Sequence, residues 1–380
     1  MKKLKIGVSG LGRAFSLMVP AFRDPRIEVI AGSDPRPDAR RRFEQDFSAK
    51  AFATVEELCR QDLDVVYLAT PHQFHAAQAR TCFSFSKHVL VEKPMALSLA
   101  ECRSMIAAAK KARRHLVVGH SHSFDAPIQR TRALIASGRY GKVKMISAFD
   151  YTDFLYRPRR PEELDTRRGG GAVFNQAAHQ VDIVRLLAGA KVRSVRAHTG
   201  AWDRSRPTEG AYSALLAFQN DLFAQLVYSG YAHFDSDEFM GWIGEMGLPK
   251  DPMVYGVARR ILRGNELALK ASRNYGGKNH KAVATQHHQH FGVVIVSCEK
   301  ADLRPLPDGV MVYADDGKRF EPLPPPLIPR IEVIDELYAA VARGKAPLHD
   351  GRWGMATLEV CLALLRSARE RREIRLGSRR

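Results

Sequence analysis

No stretch of the 380-residue sequence is apolar for long enough to span a membrane, which sets integral membrane proteins aside. The opening Met-Lys-Lys-Leu-Lys runs straight into a strand-like segment, so the apolar centre of a secretory signal is also missing. Cysteine is scarce. Cys59, Cys82, Cys102, Cys298 and Cys361 are scattered, odd in number and never in C-x-x-C spacing, which suits free thiols in a reducing cytoplasm. There is no internal repeat. Acidic residues are outnumbered, 41 against 59 Lys and Arg, for a net charge of +18. The arginines are spread along the whole chain, and the densest runs, residues 40–42 and 369–380, read as helix faces and a solvated tail. Anionic ligands are therefore expected in preference to nucleic acid. With 45% hydrophobic and 26% charged residues, the chain has the composition of a soluble globular protein long enough for two domains.

What is present begins at the amino-terminal end. Leu4, Ile6 and Val8 give a short apolar strand, followed by the turn Gly10-Leu-Gly12. A helix starting there points free N–H groups at a phosphate, as a dinucleotide pyrophosphate requires. The third small position of G-x-G-x-x-G falls on Phe15, so the fingerprint lacks its last glycine. A second strand over residues 29–33 ends on Asp34, where an acid about twenty residues on binds the ribose hydroxyls. Asp34 favours NAD, because it would repel a 2′-phosphate; Arg36 keeps NADP in play. Further strands at 64–70, 88–91 and 116–119 alternate with helices capped by Thr54-x-x-Glu57 and Ser98-x-x-Glu101. This alternation predicts an α/β domain with a doubly wound parallel sheet of the Rossmann type over residues 1–123.

From residue 124 the pattern changes. A helix over 127–137 leads to an alternating strand over 143–154, then a Gly169-Gly-Gly171 loop and an apolar helix over 176–187. Long strands follow at 192–202, 211–219 and 222–231, the last two joined by a hairpin turn at Asn220-Asp221. Residues 241–290 are irregular and glycine-rich. A strand near 293–297, a hairpin around Asp316-Gly317 and helices over 330–343 and 355–370 complete the chain. Residues 124–380 are thus expected to form an α+β domain with a large, mostly antiparallel open sheet, ending in C-terminal helices.

Two short stretches carry the chemistry. Glu92-Lys93-Pro94 ends the fifth strand, and active sites of open α/β sheets lie at the carboxyl ends of strands. A lysine before proline is held extended there, facing the cofactor; the plain alternative is a solvated lysine at a strand end. The second stretch, Gly169 onwards, sets Asn175 and His179 four apart, on one face at the start of a helix. A neutral histidine in that position is a candidate acid/base, and otherwise a satisfied core residue. Gln286-His287-His288-Gln289-His290 has no carboxylate or cysteine nearby to complete a metal site and is expected to be a pocket-edge or interface loop; no metal is expected.

Taken in order, Gly10-Leu-Gly12-Arg13, Asp34, Thr70-Pro71-x-x-x-His75, Glu92-Lys93-Pro94 and the helix with His179 and Asp182 resemble the Gfo/Idh/MocA oxidoreductase family over nearly the whole chain. The resemblance implies an NAD(P)-dependent dehydrogenase acting on CH–OH or CH–CH donors, with a substrate-binding second domain whose sheet pairs in a homo-oligomer, a dimer or tetramer. It places Gly10, Gly12, Arg13, Asp34, Thr70, Pro71, His75, Glu92 and Lys93 at the cofactor and Lys93, Asn175 and His179 at the reaction. The family's usual aspartate falls on Asn175, which is no carboxylate but can still orient a hydroxyl.

Further stretches, Val118-Gly-His120-Ser-His122-Ser-Phe-Asp125 and Asp153-Phe-Leu-Tyr156-Arg157-Pro-Arg159-Arg160, resemble the branch that oxidises cis-4,5-dihydroxy-4,5-dihydrophthalate to a catechol. A small anionic substrate of that kind wants a dense cationic pocket, because arginine holds carboxylates bidentately. His120, His122, Arg157, Arg159 and Arg160 are the expected substrate ligands, around a mouth with few carboxylates; a solvated basic loop is the plain alternative. The rivals within the resemblance are a sugar or inositol dehydrogenase, an NAD-dependent glycosidase and a non-catalytic NAD-binding regulator. No membrane or nucleic-acid partner is expected.

Overall fold

The computed structural model describes residues 3–231, 233–254, 257–262, 265–277 and 285–377. The last three residues of the expected basic tail, and parts of the irregular 241–290 stretch, lie outside them. By compactness the chain divides into two units.

The first unit holds six strands: β1 (Leu4–Ser9), β2 (Ile27–Ser33), β3 (Lys50–Phe52), β4 (Val65–Leu68), β5 (His88–Val91) and β6 (Leu116–Val118). All pair in parallel, in the order β3-β2-β1-β4-β5-β6. Val65, Val66, Tyr67 and Leu68 are all fully buried, as a parallel strand covered on both faces must be. The order reverses between β1 and β4, and the loops leaving those strands meet there. Gly10 has φ +94°, and a Cβ on it would lie 2.7 Å from the Ala69 carbonyl carbon, so only glycine fits.

Phe15, which breaks the glycine fingerprint, turns out to be a packing centre. It is fully buried, with ring centroids of Phe22, Phe43, Phe47 and Tyr275 at 6.2, 6.0, 5.7 and 4.8 Å. Tyr275 also donates its hydroxyl to Asp46 (2.7 Å). The helix Ile331–Arg343 likewise belongs to this unit: Val333, Ile334 and Leu337 are buried, and Asp335 pairs with Arg26 at 2.7 Å. The first unit is therefore 1–120 with 267–284 and 328–358, and the second 121–266, 285–327 and 359–380. A single boundary at 123 does not describe this division, because late segments supply apolar cover and ion-pair partners to early ones.

The second unit is built on a nine-stranded sheet: β7 (Val143–Tyr151), β8 (Val192–Gly200), β9 (Ala211–Phe218), β10 (Phe223–Ser229), β11 (Val293–Cys298), β12 (Ala301–Leu306), β13 (Gly309–Ala314), β14 (Gly317–Pro322) and β15 (Ile374–Arg375). Its order is β14-β13-β12-β11-β7-β10-β9-β8-β15, antiparallel throughout except for the parallel pair β7 and β10. Ile146, Leu216, Leu226, Val296, Leu303 and Val312 are fully buried on one face, while Leu215, Phe223, Tyr313 and Phe320 stand exposed on the other. The Asn220-Asp221 turn is present, Asp221 taking φ +60°. β7 ends earlier than the alternation suggested, because Phe154–Tyr156 coils into a 3₁₀ turn. β12, which carries Pro305, and the two-residue β15 had no sequence signature.

Candidate functional site

In the first unit the expected cofactor residues gather at the carboxyl ends of β1, β2, β4 and β5. Gly12 begins the helix Arg13–Met18 with no side-chain cap, and a Cβ built on it meets nothing within 4 Å. Arg13, the first residue of that helix, is exposed. Asp34 is buried and clamps the turn: Oδ2 accepts the Leu11 N–H (2.9 Å), and Oδ1 accepts the Arg36 N–H (2.9 Å) and Nε (3.0 Å). Arg36 reaches back to the Leu11 carbonyl (2.7 Å). Arg36 Nη2 also donates to Oδ2 (3.3 Å), so all four acceptor sites of the carboxylate are engaged, and a ribose diol would have to take the place of the Arg36 side chain.

Thr70 donates to Gln78 (2.6 Å), and Pro71 caps the helix His72–Ser84. His75 on that helix is fully buried, its ring nitrogens 2.8 Å from the Thr70 carbonyl and 3.1 Å from that of Pro94. It works as a strut under two loops, and burial lowers its pKa. Glu92 is buried and accepts the Tyr67 hydroxyl (2.6 Å). Burial raises the Glu92 carboxyl, against the opposing pull of Arg330 and then Tyr67. Lys93 is half-buried, and its bond to Pro94 is cis, a geometry the expected extended Lys-Pro segment did not include. His120 is buried at the end of the same unit.

In the second unit the helix expected over 176–187 begins as a π-helical segment, Val173–Ala177, and continues as an α-helix, Ala178–Ala188. Asn175 and His179 therefore do not share the i, i+4 face of a regular α-helix. Asn175 donates its amide to the carbonyls of Gly171 (2.8 Å) and Gly169 (3.3 Å), pinning the glycine loop to the helix. Gly171, at φ +80°, has no room for a Cβ, which would meet Glu209 at 2.2 Å. Glu209, a residue the sequence did not single out, accepts the Val173 N–H (3.1 Å) and the hydroxyls of Thr166 and Thr208. It thereby fixes where the helix starts. Asp182, one turn beyond His179, accepts the Ser123 hydroxyl.

His179 is buried, with Ser121 Oγ 3.5 Å from its Nδ1. The His122 ring packs edge-on at 4.7 Å, and Phe291 covers both rings at 4.8 and 5.1 Å. His122 Nδ1 lies 2.7 Å from Asp125 Oδ2 and its Nε2 3.5 Å from Glu245 Oε1. Burial pulls the His122 pKa down, but Asp125 and then Glu245 overcome it and raise it to about 9. Arg157 joins Asp153 (2.8 Å) and Glu245 (3.2 Å), which hold its pKa well above the usual value against burial. Burial alone would raise Glu245; Arg157 and His122 instead hold it well below the usual carboxylate range. Next to this group Asp150 is buried beside Asp237 and accepts the Ser236 hydroxyl (2.8 Å); burial and the Asp237 charge push it up to about 8.

The expected carboxylate-poor mouth is thus corrected: Asp125, Asp153 and Glu245 lie against the very cations thought to await a substrate. Arg159 stacks on Phe154 (3.8 Å) and donates to its carbonyl (2.8 Å), while Arg160 pairs with Glu162 (3.2 Å) and Glu163 (3.4 Å). The histidine run disperses: His287 meets Asp308 (2.6 Å), His288 the Pro324 carbonyl (2.9 Å) and His290 the Ile243 carbonyl (2.8 Å).

With this geometry in hand, similarity to other proteins is informative. Residues 4–120 match the family described as "Oxidoreductase family, NAD-binding Rossmann fold", and residues 128–247 match the GFO/IDH/MocA C-terminal domain. The chain is 48% identical over 373 residues to the 1-carboxy-3-chloro-3,4-dihydroxycyclohexa-1,5-diene dehydrogenase of Comamonas testosteroni, spanning 95% of this chain and 94% of that one. It is 21% identical, over 98% of both chains, to the inositol 2-dehydrogenase of Rhizobium meliloti (strain 1021). A crystal structure from Bordetella bronchiseptica RB50, described as a dehydrogenase, superimposes with a TM-score of 0.93 at 43% identity, covering 98% of this chain and all of that one. Among the described residues no helix is long and apolar enough to cross a membrane.

Proposed function

The chain belongs to the Gfo/Idh/MocA family of NAD-binding oxidoreductases, and from that premise we propose that it oxidises a carboxylated cis-dihydrodiol to a catechol. The observation that carries this reading is the 48% identity, over nearly the full length of both chains, to a dehydrogenase of a carboxylated dihydroxycyclohexadiene. NAD, when bound, accepts a hydride from the carbinol carbon. In this reading Gly10, Gly12, Arg13 and Asp34 hold it, with Thr70, Pro71 and Lys93 along the neighbouring strand ends and His75 and Glu92 bracing them from below. His179 takes the hydroxyl proton and Lys93 is the second proton-handling group. Asn175 acts as a positioning residue through the glycine loop. Loss of a hydride and a proton leaves a ketone whose tautomerisation to the aromatic catechol draws the oxidation forward.

The substrate's charge is assigned to His120, His122, Arg157, Arg159 and Arg160. Arg157 is already shared with Glu245, so a substrate carboxylate has to compete for it. That same neutralisation favours one alternative, an uncharged polyol, as in the inositol dehydrogenase relative. The decisive assay measures NADH formation with a carboxylated cis-dihydrodiol, the matching uncharged diol and myo-inositol across a salt series. The carboxylated diol is expected to turn over best, with KM rising as salt screens the attraction. Faster turnover of the uncharged diol or of inositol, with no salt effect, overturns the substrate assignment.

We also propose that a second copy of the chain covers the sheet face bearing Leu215, Phe223, Tyr313 and Phe320, giving a homo-oligomer. Sedimentation of the native protein as a monomer at micromolar concentration would refute it.

A further inference from the structure

We propose that Asp125 and Glu245 are positioning residues for proton transfer at His179, acting through His122, which they clamp as a charged ring against the His179 imidazole. The inference rests on the reading of His179 as the proton acceptor. His122 is 1% exposed, and each of its two ring nitrogens faces a carboxylate, at 2.7 and 3.5 Å. A neutral imidazole has one N–H and can serve only one of them; the imidazolium serves both. Glu245 is fixed in turn by Arg157, whose guanidinium bridges it to Asp153 at 3.2 and 2.8 Å. The carboxylate of Glu245 therefore cannot swing away from His122 without abandoning Arg157 as well.

Two effects on His179 follow. A fixed cation 4.7 Å from its ring centre disfavours a second positive charge, so His179 stays neutral and able to accept a proton at neutral pH. Phe291 packed on both rings keeps the interaction poorly screened. Once His179 has taken the proton, the same repulsion helps it pass the proton on. Orientation is the second effect: Ser121 faces Nδ1, turning the Nε2 edge the other way. The groups that face His122 include Asp125 from its own turn and His120 just before it, His179 from the helix, Glu245 from the 241–249 loop, and His290 from the segment before β11. Burial lowers the His290 pKa, and its Nε2 is held by the Ile243 carbonyl, so His290 adds no competing cation.

The test is histidine NMR on the full chain carrying ¹³C at Cε1, with His122 and His179 assigned through His122→Gln and His179→Gln, alongside the pH profile of kcat/KM. In the unmodified protein His122 is expected to remain an imidazolium above pH 8. In Glu245→Gln and Asp125→Asn the His122 midpoint should fall. The His179 midpoint should rise by about half to one pH unit, carrying the acidic limb of kcat/KM with it. His122→Gln should move that limb furthest, and Glu245→Asp should restore most of the shift. A neutral His122 at pH 7 in the unmodified protein overturns the inference. So does a His179 midpoint that stays put while kcat falls equally at every pH, the signature of a merely structural role. Absence of turnover with carboxylated dihydrodiols would refute the substrate reading alone, because the NMR titration needs no substrate.

Discussion

In the first unit, buried polar side chains are satisfied largely by backbone: His75 between two carbonyls, Asp34 under the Leu11 and Arg36 amides. At the centre of the second unit, around His122, they are satisfied by one another, although Asn175 and His290 still lean on carbonyls. His122, Asp125, Glu245 and Arg157 form a chain of ion pairs, with Asp150 buried beside it, its carboxyl pushed up to about 8 by burial and the Asp237 charge. The contrast follows from architecture. Parallel strands end in a row and present their loops to a common edge, so backbone groups are already in place there. The open sheet offers no such row, and its polar centre is assembled from side chains contributed by residues 121–125, 157, 179 and 245. A centre held by backbone is little affected by pH, whereas one held by mutual charge is sensitive to it.

The largest expected effect cuts across the comparison. His179→Ala in the second unit and Lys93→Met in the first should each lower kcat by roughly two to four orders of magnitude, the usual worth of a positioned acid or base. NAD affinity, measured by calorimetry, should barely change in either. Near-normal turnover would remove the residue concerned from the mechanism.

Next come two substitutions that probe the two kinds of satisfaction. Arg157→Met leaves Glu245 without its guanidinium and should cost about 2–3 kcal/mol in urea denaturation. That is below the roughly 3–5 kcal/mol for breaking a fully buried pair, because both side chains are about a quarter exposed. His75→Phe gives up the one hydrogen bond that a neutral ring can donate to its two flanking carbonyls and should cost about 0.5–1.5 kcal/mol. A reversed order would mean that the ion-pair chain is not what braces the second unit.

The pH dependence of stability sharpens the same point. His122, raised from 6.5 to about 9, contributes stability that is complete below pH 6.5 and lost as pH rises through 9. Asp150, raised from 3.8 to about 8, acts in the same direction between those values. Glu245, held below 4.5, contributes stability present above that pH and lost only as acid protonates it. The melting temperature should therefore fall on the alkaline side between pH 6.5 and 9, by about 2–4 °C for each kcal/mol lost. Asp150→Asn should flatten that slope; an unchanged slope would show that Asp150 is already ionised at neutral pH.

The smallest effect belongs to the glycine turn. Asp34→Ala should narrow the preference for NAD over NADP by about tenfold, because it removes a carboxylate that opposes a 2′-phosphate and releases Arg36. Equal affinities for the two cofactors in the unmodified protein would refute the assignment.

The contrast between the units also explains what could be read from the sequence. β1, the glycine turn and Asp34 form one contiguous motif, and Lys93 follows a recognisable apolar strand, so their positions were legible. His179 was legible through its helix. Glu245 was not, because it lies in a stretch with no periodicity, and what gives it meaning is Arg157, 88 residues earlier in the chain. Asp125 carries a usable signal in its i, i+3 spacing from His122. The absent third glycine at Phe15 looked like a defect because the aromatic partner that completes its packing, Tyr275, lies 260 residues away in sequence.

That aromatic cluster has a consequence for how the protein is made. A nascent chain that has emerged to residue 120 has all six strands of the parallel sheet but neither Tyr275 nor the helix Ile331–Arg343 to cover Phe15 and Arg26. Translation at about 5–20 residues per second leaves a wait of roughly 10–50 s before the last of those segments leaves the ribosome. During that interval the half-built unit displays a patch of aromatic side chains. Co-translational chaperone capture and protease sensitivity should therefore concentrate on nascent chains ending between residues 120 and 358, and vanish soon after.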